Sequence, residues 1–474
     1  MEEDLIETAI GRFGKYQIWI LVLVSLGRVP TEFQLNNVVF ILPSVDYVCL
    51  DENMNNATNI CPCANPQYDT STIVSSVTSE WNLICNRQNL ASLTQSMLQI
   101  GILVGSIIYG YVSDRYGRKI VVFVALFSEV VFVTISGLIT ELWMFIVCRF
   151  LIGTAVGGTI LCCYILLVEL SGTSFRPYLS GLIELAFVIT YITLPIIAYY
   201  VREWRQLQLV TSAPWAVVII YYWLIPESPR WLITVGRKEE AVKILTHIAK
   251  MNNRPVDKIE EFVTKIEASN KNTKKTSSYL DLFRTPNIRM YVIITAFIWM
   301  FCSHTFFGVN QYIGRLQGNI YLNVILSAVC LAPGIILVVI ANLYLKRKVS
   351  IICSFCTSAV SLLVFIFVRD RTATLAFAII GLLGAYISFV QVYLFTSEVF
   401  PTVIRNTATG FASMFARLGG FLAPFVVNIG LEWVSILIFS GVAFSAAILC
   451  YFLPETKDIV LPNTIEQREN ANDA

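Results

Sequence analysis

Gly110-Tyr111-Val112-Ser113-Asp114-Arg115-Tyr116-Gly117-Arg118-Lys119 is a short charged turn between two long apolar runs. On one side lies Asn89–Tyr111 and on the other Ile120–Thr140. About 20 apolar residues suffice for one helical crossing of a bilayer, so the turn joins two antiparallel spans. Its Arg-Lys pair returns as Arg347-Lys348. Glu169, followed seven positions on by Arg176, returns as Glu398 followed by Arg405, and the glutamates lie 398 − 169 = 229 residues apart, the same distance as the basic pairs. Pro226-Glu227 and Pro454-Glu455 are separated by almost that distance. Shared spacing near half the chain length implies a duplicated unit, with parallel repeats and a ligand site near the bilayer midplane.

Composition agrees with a membrane chain. Of its 474 residues 56% are hydrophobic and 14% charged, with a mean hydropathy of +0.67. Soluble domains run at roughly 45–50% apolar and about 25% charged. The net charge of +2 gives no footprint for nucleic acid. Two histidines with no clustered His/Cys/Glu ligands argue against a metal, and no cofactor is expected. Met1–Glu7 is acidic and the first apolar run is too long for a signal peptide.

Twelve spans are expected. The first half gives Tyr16–Leu42, Asn89–Tyr111, Ile120–Thr140, Trp143–Leu167, Tyr178–Val201 and Leu207–Ile225. The second gives Asn287–Gly308, Gly318–Leu345, Val349–Val368, Ala373–Thr396, Thr407–Ile429 and Trp433–Leu453. The domain reading is a six-helix half over 1–225 with an outer loop 43–88, a linker 226–286, a second six-helix half 287–454 and a tail 455–474. Loop 43–88 is acidic (Asp46, Asp51, Glu52, Asp69, Glu80) and holds Cys49, Cys61, Cys63, Cys85 and the sequon at Asn56. Disulfides and glycans belong outside the cytosol; four cysteines allow three full pairings. Linker 226–286 is rich in Lys and Arg, as is the Arg115–Lys119 turn, so both face the cytosol together with both termini. Ala241, Ile244, Leu245 and Ile248 recur at helical spacing, predicting one or two amphipathic helices over Lys238–Ile266. Ser269–Ser278 reads as a disordered linker.

The Gly110–Lys119 turn resembles the signature of the major facilitator superfamily. Further stretches resemble its organic ion transporter family of organic cation, organic anion and carnitine carriers. These are Ser79-Glu80-Trp81-Asn82-Leu83-Ile84-Cys85, Pro226–Trp231, Glu398–Arg405, Leu453–Lys457 and Leu461–Glu466. The resemblance spans nearly the whole chain, although the family often has a longer first loop. It implies an all-α membrane protein of twelve transmembrane helices in two six-helix pseudo-symmetric halves. It also implies carriage of a small organic ion by alternating access, in the plasma membrane and as a monomer, with lipid as the other partner.

The candidate residues fall into two groups. Gly110, Asp114, Arg115, Gly117, Arg118, Lys119, Glu169, Arg176, Glu227, Arg230, Glu398 and Arg405 form a gating set of cytoplasmic charged contacts; the plainer reading of the basic residues is topology signalling. The second repeat has lost its acid, since Leu343 stands where Asp114 does. Arg149 is read as opening span four on the cytoplasmic side, and it resembles a superfamily arginine linked to conformational coupling.

Six charges fall inside spans: Arg28, Glu32, Glu129, Arg149, Glu184 and Arg417. Each is costly in lipid, roughly 2.5–3.5 kcal/mol for an Arg or Asp at a helix centre, so each must face protein or water. Arg28 and Glu32 are one turn apart and can neutralise each other; Glu129 reads as structural pairing. By resemblance, anion and carnitine carriers have Arg at the position of Arg417, where several cation carriers have Asp. A guanidinium suits bidentate carboxylate recognition, although a fixed interhelical ion pair is the plainer alternative. Phe306, Phe307, Phe389, Tyr393 and Phe187 match aromatic positions of the family, with ordinary packing as the alternative for each. Asn37, Asn310 and Gln391 are polar groups able to fix orientation, and Glu184 supplies a negative charge. The Lys of anion carriers in span eight is absent from Cys330-Leu331-Ala332-Pro333-Gly334. Together these lean to zwitterionic or carboxylate-bearing solutes. A polyspecific cation carrier and a non-transporting sensor with the same fold are the competing readings. An enzyme lacks its motif: no metal cluster, nucleophile elbow or catalytic carboxylate pair is evident.

Overall fold

The computed structural model describes residues 5–50, 58–172, 175–272, 279–401 and 404–457. The sequon at Asn56, the acids Asp51 and Glu52, and the Leu461–Glu466 motif lie outside these residues. Nothing is described for the side chain of Arg176.

Twelve helices are long and apolar enough to cross a membrane. They are Lys15–Asn36, Cys85–Tyr116, Arg118–Ser136, Leu142–Glu169, Leu182–Tyr200, Trp204–Leu224, Pro286–Ile313, Ile320–Tyr344, Arg347–Phe367, Arg371–Val399, Arg405–Val427 and Glu432–Tyr451, numbered one to twelve below. Each coincides with an expected span. The differences have local causes. Span one is helical in pieces, Lys15–Gly27, Val29–Asn36 and Val38–Ile41. Pro30 stands in the first turn of the second piece, where a missing N–H is tolerated, whereas inside one continuous helix it removes a bond. Span six tightens to a 3₁₀ stretch over Ala213–Ile220, again with Pro in its first turn.

Close backbone approach packs spans two and four. A Cβ on Gly105 meets the Thr154 carbonyl oxygen at 2.1 Å, and one on Gly157 meets that of Ile102 at 2.4 Å. Small residues at such crossings let dispersion act where the hydrophobic effect offers nothing between lipid-embedded helices.

Two amphipathic helices, Lys238–Met251 and Ile259–Asn272, follow span six. Their apolar faces (Ala241, Leu245, Ile248, Ile259, Val263) join a core with Ile6, Ala9, Ile10 and Tyr16. The second helix runs to Asn272, so Ser269–Asn272 is helical rather than linker; the rest of the expected linker, 273–278, lies outside the described residues. The Asn252 side chain accepts from the Tyr16 N–H (3.0 Å) and donates to the Ile10 carbonyl (2.9 Å) and to Gln17 (2.8 Å), tying the end of Lys238–Met251 to the short helix Leu5–Ile10 and to the entry of span one.

In the first loop Tyr47–Cys49 pairs antiparallel with Pro66–Tyr68. Of the three pairings open to its cysteines, the structure has Cys49–Cys63 and Cys61–Cys85. By contacts the chain forms two compact units: Met1–Asn37, Gly101–Leu194 and Arg205–Lys275 in one, and Val38–Ile100, Pro195–Trp204 and Thr276–Ala474 in the other.

Candidate functional site

In the first unit, five of the six in-span charges are present. Arg28 Nη2 meets Glu32 Oε1 at 2.6 Å, both side chains buried. Glu129 accepts from the hydroxyls of Thr31 (2.7 Å) and Thr159 (3.1 Å), so hydroxyl donors, not a cation, hold it. Glu184 is half-buried, with Arg28 and Glu32 as its electrostatic neighbours. Arg149 corrects an expectation. It sits near the Leu142 end of span four, 20 residues from Glu169 at the other end, about 30 Å along the helix. It therefore belongs to the end opposite the Arg118 turn. There it is fully buried and donates to Gln34 at 3.4 Å. Asn37 shares that network, donating to Gln34 and Gln208, both at 3.0 Å. Phe187 packs on Tyr191.

In the second unit, aromatic residues from spans seven and ten converge. Phe306 lies 5.3 Å from Phe307, 5.4 Å from Phe389 and 6.0 Å from Tyr386 between ring centroids. Phe389 lies 5.7 Å from Tyr393, which meets Trp299 edge-on at 4.3 Å. Tyr393 is 42% exposed. Arg417, from span eleven, is half-buried with Tyr393 as its electrostatic neighbour, and it makes no hydrogen bond or ion pair among the described residues. A mid-span guanidinium without an anion is expensive, and part of the Arg417 surface stays exposed. Asn310 is buried in span seven. Gln391 turns instead into span nine, donating to Ser350 (2.5 Å) and accepting from Ser354 (3.4 Å).

Sequence reasoning missed two aromatic members, Trp299 and Tyr386, and a polar zipper on span two. Ser96 donates to the Phe421 carbonyl (2.6 Å), Asn428 to Ser92 (2.6 Å), and Gln311 to Gln95, while Arg315 reaches the Val427 carbonyl (3.0 Å) and Asn428. The signal was present: Ser92, Gln95, Ser96 and Gln99 recur at helical spacing along one face of an otherwise apolar run.

The charged turns are built alike. Arg118 donates to Glu169 through Nε (3.1 Å) and Nη2 (3.0 Å), and to Asp114 through Nη1 (2.6 Å). Glu227 Oε1 accepts from the N–H groups of Arg118 (2.8 Å), Lys119 (3.2 Å) and Ser228 (2.8 Å). Trp231 donates its indole N–H to the Asp114 carbonyl at 2.8 Å. Gly110 packs near Leu161, Arg115 is exposed beside Tyr111, and Arg230 lies half-buried in Pro229–Thr234. In the second repeat Arg347 Nε reaches Glu398 at 3.3 and 3.4 Å, and Glu455 accepts from the Arg347 (2.8 Å) and Lys348 (3.1 Å) N–H groups. Arg405 stands beside Glu398 but donates to the Phe400 carbonyl (3.4 Å), so Arg347 holds that carboxylate.

Residues 52–464 match the family described as "Sugar (and other) transporter". The chain is 30% identical to the organic cation transporter protein of Drosophila melanogaster, over 99% of this chain and 95% of the relative. It is 33% identical to human organic cation/carnitine transporter 2, over 85% of this chain and 73% of that protein. Among solved structures, the inward-open xylose transporter XylE of E. coli superposes with a TM-score of 0.71 at 18% identity, covering 96% of this chain and 100% of XylE, which shows the fold. These relatives are transporters, not enzymes. The chain is a multi-pass membrane protein that belongs to the organic ion transporter family of the major facilitator superfamily.

Proposed function

We propose that the chain carries small organic ions across the plasma membrane by alternating access, with a leaning to zwitterionic or carboxylate-bearing, carnitine-like solutes. The observation that carries this reading is Arg417, a mid-span guanidinium with no anion among the described residues, beside the aromatic group of Phe306, Phe307, Phe389 and Tyr393. A planar guanidinium takes a carboxylate through two parallel hydrogen bonds, and aromatic faces accommodate an organic body or a quaternary ammonium. The names of relatives, organic cation transporters and an organic cation/carnitine transporter, support an organic ion. The polar zipper of span two onto spans seven and eleven fits alternating access: it joins a first-repeat helix to two second-repeat helices through hydrogen bonds that a rocking of the repeats would have to break.

The same reading has the disulfide-bearing loop outside and both termini in the cytosol, the basic turn and linker obeying the positive-inside rule. It takes the chain as two six-helix halves joined by the linker 226–286, working as a monomer. Asp114, Arg118, Glu169 and Glu227, with Glu398 in the second repeat, serve as conformational contacts.

A second reading, a polyspecific organic cation carrier, is favoured by the name of the Drosophila relative. Uptake of labelled cations, anions and zwitterions by cells or proteoliposomes, with Arg417→Ala alongside, separates the two. Saturable uptake of carboxylate-bearing solutes that drops by more than about tenfold in the variant, the size of a lost charge-assisted hydrogen-bonded pair, supports Arg417 as anchor. Uptake of simple cations alone, indifferent to the substitution, establishes the cation reading instead.

A further inference from the structure

A cavity of about 640 Å³ opens in the first unit where the ends of spans one, three and six meet the helix Lys238–Met251. Its depth along the chain is that of the membrane–water boundary: span one begins at Lys15, span three at Arg118, and span six ends at Leu224. Tyr16, Trp19, Tyr222 and Trp223 line it, the residue types that favour such a boundary because one end of each ring is apolar and the other donates a hydrogen bond.

The charges in its wall are unequal once their commitments are counted. Glu227 accepts three backbone N–H groups through Oε1. Glu240 is occupied by Arg237, through bonds of 2.8 and 2.6 Å. Lys119 remains: its ammonium lies 5.0 Å over the Tyr222 ring and makes no hydrogen bond or ion pair among the described residues. His247, whose ring meets Tyr16 edge-on at 5.7 Å, lines the same cavity. With Glu240 held by Arg237 and Glu227 engaged through Oε1, Lys119, which meets only a ring face, is a cation of the wall free to meet an anion. Its flank is apolar and exposed: Trp223 is 70% exposed, and Leu224 and Ile120 are exposed beside it.

We infer that this cavity holds the phosphoryl headgroup of an anionic phospholipid, with Lys119 as its cation and the Trp223–Leu224–Ile120 flank covered by an acyl chain. Basic pockets between helix ends at the basic side of a membrane protein suit such headgroups. A free phosphate ester shares the headgroup chemistry but leaves the flank uncovered. Because Glu227 binds the Lys119 N–H, the headgroup also bears on the Arg118 cluster.

The test uses the purified full-length chain in detergent. Thermal unfolding and bound lipid by native mass spectrometry are followed with dioctanoyl phosphatidic acid, dioctanoyl phosphatidylcholine and glycerol phosphate. The expected result is a rise in Tm with phosphatidic acid alone. Its affinity weakens about fivefold in Lys119→Ala, the effect of one basic residue at an anionic surface, and is retained in Lys119→Arg. Equal response to phosphatidylcholine, or unchanged affinity in Lys119→Ala, overturns the site. Glycerol phosphate as effective as the lipid overturns its assignment to lipid. Should Lys119→Ala fail to fold, His247→Ala and Trp223→Ala are read the same way: unchanged affinity in both overturns the site.

Discussion

Two turns of the molecule, related by the internal repeat, perform the same construction with different parts. In the first, Gly117 precedes the helix and adopts a φ of +105°. In the second, Lys346 stands there with an ordinary φ of −65°. In the first, Arg118 is shared by two carboxylates, Glu169 and Asp114. In the second, Arg347 has Glu398 alone, at a longer 3.3 Å, and spends Nη1 on the Asn342 carbonyl. The common part is the glutamate after the sixth span of each repeat. Glu227 and Glu455 each cap the first two N–H groups of a helix, using the partial positive charge at its N-terminus. Duplication thus preserved the helix cap and let the ion pair drift. The difference separates what the fold needs from what one turn adds.

The largest effect is expected from removing the arginines. Arg118→Ala leaves Glu169 and Asp114 without their cation, and breaking a buried pair on one side costs about 3–5 kcal/mol. The Arg118 side chain is only 10% exposed, and Glu169 18%, so the lower end of that range applies. Initial uptake, normalised to protein at the cell surface, should fall by more than about tenfold. Arg347→Ala releases one carboxylate that keeps the Thr456 hydroxyl at 2.6 Å, and its loss should be several times smaller. Equal losses would show that the Thr456 hydroxyl does not relieve Glu398.

Next in size is the backbone at the turn. A Cβ on Gly117 meets Glu227 Oε2 at 2.3 Å, and φ there lies in the left-handed region. Gly117→Ala should destabilise the chain by about 1–3 kcal/mol, read as a lowered Tm in detergent. The mirrored change, Lys346→Gly, removes no contact to a carboxylate and relieves no strain, so it should shift Tm by less than half as much. A larger drop in Lys346→Gly than in Gly117→Ala would mean the two turns are not equivalent caps.

How legible this was from sequence follows from range. The spans were legible because twenty apolar residues in a row admit few other readings, and the breaks at Pro30 and Pro214 fall where a proline removes a donor. The repeat made the pairs of Glu169 and Glu398 visible as positions, but not as partners. Arg347 outcompetes Arg405 for Glu398 because it enters from the neighbouring helix start, a tertiary fact that spacing does not contain. Arg149 was placed at the wrong end because its resemblance to a coupling arginine outweighed the direction of span four, which the count of crossings already set. The zipper of Ser92, Gln95 and Ser96 went unread because polar residues of short side chain look like packing until the facing helix is known. At the aromatic site, Phe389 and Tyr393 were findable one turn apart, whereas Trp299 and Tyr386 became members only through interhelical packing.

The smallest effects come from exchanging the one acid by which the turns differ. Asp114 is 75% exposed, and an exposed ion pair contributes about 0–1 kcal/mol. Asp114→Asn should therefore leave Tm within about one degree of the parent while Arg118 stays with Glu169. Leu343→Asp places an acid four residues before Arg347, the arrangement of the first turn. Leu343 is exposed, so no core is lost. The new carboxylate lies near Lys457, whose ammonium already bonds the Leu343 and Leu345 carbonyls at 2.6 and 3.0 Å. A gain of at most about 1 kcal/mol is expected, and salt should weaken it because the new carboxylate faces solvent. Unfolding at low and high salt checks this. A stabilisation that survives high salt would contradict an exposed ion pair and place the aspartate at the helix backbone instead. If the turns act as conformational contacts, the double variant Asp114→Asn, Leu343→Asp exchanges the stronger contact between repeats. Uptake should then move toward the parent value relative to Asp114→Asn alone, if only the sum of the two matters, and stay at the single-variant level if the first turn has a role of its own.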